Sequence, residues 1–141
     1  MATAKWSAPG TVSSELSGTA LNSLVNGNTS AFFTYDNSTN RDYYGNIRIT
    51  LGSIAAVAPN SGVFRVFATQ NGAAPDNTGS VGGGDAYPFM VTTGTSVKEI
   101  NIPMVRLYPE SLRFCITNNT GVNLAASGNA VYVRPGNEDV T

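Results

Sequence analysis

Nine carboxylates are the main chemical resource of this chain: Glu15, Asp36, Asp42, Asp76, Asp85, Glu99, Glu110, Glu138 and Asp139. Glycoside hydrolysis needs two of them facing one cleft. All but Glu99 fall in stretches that read as loops or termini, and Glu99 falls on the solvent side of an alternating run. Solvated surface charge is the expected state of them all. No histidine is present. That removes the commonest general base and metal ligand, and with them any Ser-His-Asp or Cys-His arrangement. Cys115 is the one cysteine, so an internal disulfide and a zinc cluster are both excluded. It lies in Leu112-Arg113-Phe114-Cys115-Ile116, where a small buried strand residue is expected. Gly82-Gly83-Gly84-Asp85, with Asp76 upstream, lacks the spaced oxygens of a calcium loop and the Gly-Lys-Ser/Thr of a phosphate loop. The chain is expected to be no enzyme, with no cofactor and no metal, and to have a structural or binding role.

The bulk properties agree. A length of 141 residues favours one domain with a real core. Hydrophobic residues are 41% and charged residues 12%, the latter about half the globular norm of ~25%. Asn, Thr, Ser and Gly fill the difference. The net charge of −1 leaves no electrostatic footprint for nucleic acid or an anionic membrane. No segment approaches the ~18 apolar residues of a membrane span. Met1 to Gly10 lacks the apolar stretch of a signal peptide, so folding in a cytoplasm is expected.

The elements that must position any site are short strands. Residues 1–17 read as a polar N-terminal arm, and 18–141 as a single β-sandwich domain. The arm carries Trp6, the only tryptophan, which either tucks onto its own domain or anchors the arm to a neighbouring subunit. Ser13-Ser14-Glu15-Leu16 suits one helical turn at most. Val25-Asn26-Gly27-Asn28 marks a tight turn, and Phe32, Phe33 and Tyr35 supply bulk for a first strand over about 30–35. Ile47, Ile49 and Leu51 alternate with polar residues in a second strand over 43–54. A third, 63–69, is apolar on both faces, which implies cover by the arm or a partner. The 70–85 stretch is a long loop. Strands follow over 86–92, 97–104, 112–118 and 130–134. Pro88 and Pro103 place two of them at sheet edges, and Ile100, Ile102 and Met104 share one side of the second of these. Seven or eight such strands, with turns every dozen or so residues and no convincing helix, predict an all-β antiparallel β-sandwich or jelly roll.

Two binding readings remain. Tyr43, Tyr44, Tyr87, Tyr108 and Tyr132, among many Asn side chains, suit a carbohydrate- or receptor-binding module. The other reading comes from a resemblance. Residues 17–27 (Ser-Gly-Thr-Ala-Leu-Asn-Ser-Leu-Val-Asn-Gly), 35–37 (Tyr-Asp-Asn), 58–67 (Ala-Pro-Asn-Ser-Gly-Val-Phe-Arg-Val-Phe), 114–121 (Phe-Cys-Ile-Thr-Asn-Asn-Thr-Gly) and 128–135 (Gly-Asn-Ala-Val-Tyr-Val-Arg-Pro) carry it. The chain resembles, over nearly its full length, the small jelly-roll cement (decoration) proteins of tailed-bacteriophage capsids. The resemblance implies a virion protein made in the host bacterial cytoplasm. Such a protein sits on the capsid exterior, cements neighbouring major capsid protein subunits and forms a homo-oligomer, a dimer or trimer. The arm, the long loop and the C-terminal tail are expected to make those contacts, through Trp6, Leu16, Leu21, Leu24, Asp76, Asp85 and Arg134.

Overall fold

Alternating apolar and polar residues bury one face of each long strand. In the computed structural model, which describes residues 3–58, 60–68 and 84–140, they build two antiparallel sheets packed face to face. The strands are β1 (Ala4–Trp6), β2 (Phe33–Asp36), β3 (Tyr44–Leu51), β4 (Ser61–Ala68), β5 (Asp85–Met90), β6 (Lys98–Arg106), β7 (Ser111–Asn119), β8 (Ala130–Gly136) and β9 (Glu138–Val140). One sheet has the order β2-β7-β4-β5, the second has the order β6-β3-β8, and β1 pairs with β9. No helix occurs among the described residues. The expected β-sandwich is therefore observed. Among the described residues the two sheets hold seven strands, with β4 and β5 as consecutive neighbours in one sheet.

The core lies between the sheets. Ile47, Ile49 and Leu51 of β3, with Val131 and Val133 of β8, face Phe64 and Val66 of β4 and Leu112, Phe114 and Ile116 of β7. Phe114 is its aromatic centre. Its ring centroid lies 5.1 Å from Phe64, 6.0 Å from Phe33 and 6.1 Å from Tyr35. Cys115 points away from this core and is nevertheless buried, and burial pushes its thiol up to about 11. β5 and β6 are edge strands, as Pro88 and Pro103 require.

Two bulges set the surface. Thr29 bridges Thr117, and Phe33 pairs with Phe114, so the first strand gains one residue on β7 between them. The extra residue falls beside Phe32, whose ring packs at 5.6 Å on Phe67 of β4. The second apolar face of β4 is thus met by Phe32. On β6 the register shifts between Gly45 and Ile47 of its partner β3. The extra residue lies at Pro103-Met104, and Met104 takes φ 58°. The alternating reading of this strand therefore fails at its end. Met104 turns out to solvent and Val105 takes the buried place.

The N-terminal arm is extended rather than helical at 13–16. Ser7, Gly10, Ser13 and Leu16 donate backbone N–H groups to the carbonyls of Asn137, Pro135, Val133 and Val131. Every third arm residue thus meets every second strand residue. The Ser13 hydroxyl also accepts the N–H of Val133, and the Ser7 hydroxyl that of Asn137. An otherwise open edge of β8 is covered in this way, which removes a template for unwanted strand pairing.

Candidate binding face

The outward face of the three-stranded sheet follows from register alone. Asn46, Arg48 and Thr50 of β3 lie between Asn101 and Glu99 of β6 and Arg134, Tyr132 and Ala130 of β8. The arm runs along the β8 side and turns this face into a trough. From Ala130 to Gly136 it spans roughly 20 Å at about 3.3 Å per strand residue. Three hollows follow one another along it and share their boundary residues.

The first hollow, of about 210 Å³, is mainly apolar and is lined by Trp6, Pro9, Tyr44, Met104 and Pro135 among others. Tyr44 donates its hydroxyl to the carbonyl of Asn137 at 2.8 Å and meets the Trp6 ring edge-on. Trp6 remains 62% exposed and Met104 49%. Met104 is held on the rim by its bulge, where its N–H donates to Oδ1 of Asn46 at 3.1 Å. Tyr43, still more exposed, donates its N–H to Oδ1 of Asn137. The middle hollow, about 250 Å³, lies among Val12, Asn46, Arg48, Asn101, Tyr132 and Arg134. The third, about 520 Å³, is polar and carries Glu15, Asn22, Arg48, Glu99 and Tyr132. The Arg48 guanidinium lies 4.6 Å over the Tyr132 ring, a cation–π contact that fixes both.

The residues expected to make contacts divide on this geometry. Trp6 and Arg134 line the first hollow together, and Arg134 Nε donates to the carbonyl of Gly10. Leu16 and Leu24 are half-buried against the core. Leu21 is fully buried and is corrected from contact residue to core residue, because the turn at 18–23 drives it between the sheets. Asp85 opens β5 and accepts the Tyr108 hydroxyl at 2.7 Å, a bond that raises the pKa of Tyr108. Asp76 lies outside the described residues. Arg48 and Asn46 carry no individual signal in the sequence, and the alternating reading puts Met104 on the side of Ile100 and Ile102. The only local signal for Met104 was Pro103 within an alternating strand, since a proline there marks an edge or a bulge.

The pKa of Asp42 is raised, chiefly by burial, with the Asn137 amide opposing. Its neighbour Asp36 is held below the usual range by the hydroxyl and N–H of Ser38. No group of three or more Cys, Asp or Glu able to hold a metal occurs among the described residues. Fold and face together define a β-sandwich with a surface trough. The chain matches no known family, no curated protein and no solved structure.

Proposed function

We propose that the protein is a structural virion component that seats on the outside of an icosahedral phage capsid and cements neighbouring major capsid protein subunits. It acts there as a homo-oligomer, a dimer or trimer. The observation that carries this reading is Trp6: an indole fixed edge-on against Tyr44 and still 62% exposed, beside an exposed Met104. Rigid, exposed aromatic groups of this kind dominate the energy of protein interfaces. The low surface charge supports wide contact without strong repulsion, and many copies on one lattice add weak contacts together.

Sedimentation of the purified protein with undecorated capsids tests the reading. Cosedimentation that saturates at a fixed ratio to capsid subunits is expected, and Trp6→Ala should weaken it at least tenfold. Removal of residues 2–14 should weaken it further. A Trp6→Ala chain that decorates as tightly as wild type would move the anchor elsewhere. Absence of cosedimentation by the wild-type chain would replace this reading with a receptor-binding module of a tail or fibre.

A further inference from the structure

The end of the trough remote from Trp6 is unlike the apolar end, and its groups are oriented without being used up. Asn129 is buried and locked. Its Oδ1 accepts the N–H of Gly52, and its Nδ2 donates to Oδ1 of Asn22 and to the carbonyl of Ala125. That bond orients the Asn22 amide, whose own Nδ2 has no partner among the described residues. Glu99 accepts the Thr50 hydroxyl through Oε1 at 2.9 Å, and Glu15 accepts that of Ser17 at 3.4 Å. Neither carboxylate has another partner among the described residues. Arg48 leans across to β8, and its guanidinium carbon lies 4.6 Å from the centre of the Tyr132 ring. Arg48 lines the open hollow of about 520 Å³ together with both carboxylates.

We propose that this hollow binds a neutral saccharide. Vicinal hydroxyls donate to a carboxylate and accept from a guanidinium or an amide, so alternating donors and acceptors suit a polyol. The Arg48–Tyr132 cation–π pair lies along the floor, and the locked Asn129 preorganises one wall. Two carboxylates against one arginine give the lining a net negative charge, which disfavours sialylated or sulfated sugars. An added peptide strand is disfavoured too. β3 forms the floor, and its backbone is already paired on both sides by β6 and β8. Only side chains are left to bind.

The test is a titration of isotope-labelled full-length protein with the methyl glycosides of glucose, galactose and N-acetylglucosamine, followed by amide shifts. Saturable shifts at Gly18, Thr50 and Gly128 are expected for at least one of them, with dissociation constants in the millimolar range. Arg48→Ala and Glu99→Gln should each weaken binding at least tenfold while keeping the dispersed spectrum of a folded chain. Trp6→Ala should bind unchanged, which separates this site from the capsid contact. Affinity that rises along an oligosaccharide series identifies a polysaccharide as the source, and constant affinity identifies a free sugar. The proposal is overturned if no glycoside gives saturable shifts, if the shifts survive both substitutions, or if only sialylated or sulfated sugars bind.

Discussion

The Trp6 indole meets the Tyr44 ring at 5.1 Å between centroids and 77° between planes. This contact joins the first described strand to the middle strand of the three-stranded sheet. Because Trp6 is the only tryptophan, its emission reports the arm alone. Trp6→Ala should cost the fold only about 1 kcal/mol, the scale of one aromatic pair. In the free protein, acrylamide should quench Trp6 readily. On decorated capsids the quenching should fall several-fold.

Asn118 is buried near the C-terminal end of β7, where it meets the loops around Leu24 and Val122. Its Nδ2 donates to the carbonyls of Leu24 and Val122, and its Oδ1 accepts the N–H and hydroxyl of Thr120. Asn118→Ala removes four hydrogen bonds at once and leaves the buried Thr120 N–H without its acceptor. A loss of about 3 kcal/mol in urea unfolding is expected, since each unsatisfied buried group costs roughly 1–3 kcal/mol.

Met104 holds φ 58° with its side chain half out in solvent. A β-branched residue is poorly tolerated in that region, so Met104→Val should destabilise by about 1–2 kcal/mol. Met104→Gly should keep or raise the melting temperature, because glycine adopts this conformation freely. The same Gly variant should weaken capsid cosedimentation, as it removes an exposed apolar group. Thermal unfolding and sedimentation of the two variants check both statements.

Gly10 lies so close to β8 that a Cβ there would sit 2.8 Å from Cγ of Pro135. Gly10→Val should lift the arm from the strand edge. Hydrogen exchange at Val133 and Asn137, whose N–H groups donate to arm serines, should then quicken by about tenfold or more. Exposing that edge should also promote self-association, which light scattering will show.

Cys115 is buried, and its thiol is pushed up to about 11 by desolvation, with Arg65 opposing. In the unfolded chain the thiol ionises near its ordinary value of roughly 8.5. Above that pH the folded state holds the proton that the unfolded state has released. This contribution to stability is therefore whole below roughly 8.5 and is lost as pH rises through about 11. Thiol reagents should label Cys115 only as fast as the protein opens, and at once in denaturant. Fast labelling of the folded chain would contradict the burial.

Much of the framework was legible in the chain. Period-two alternation placed Ile47, Ile49 and Leu51 inward, as the structure has them. Proline chemistry placed β5 and β6 at edges, and Asn26-Gly27 marked a turn in which Gly27 has φ 85°. The trough was less legible. Trp6 was singled out, but its ring partner Tyr44 lies far along the chain, and Arg48 and Tyr132 meet only through the β3–β8 register. Leu21 looked like a contact residue in a polar stretch because turn residues surround it, and its burial depends on where the turn sits over the sheets.

The sequence by itself determined an all-β chain without histidine, with inward and outward faces set by alternation. Those properties are local, since side chains in a strand point to opposite faces every second residue. Only the tertiary structure decided which strands are neighbours, where the two bulges fall, and that the polar arm closes the β8 edge. Pairing and edge cover depend on contacts between residues distant in the chain, and a single extra residue in a ladder reverses every face beyond it.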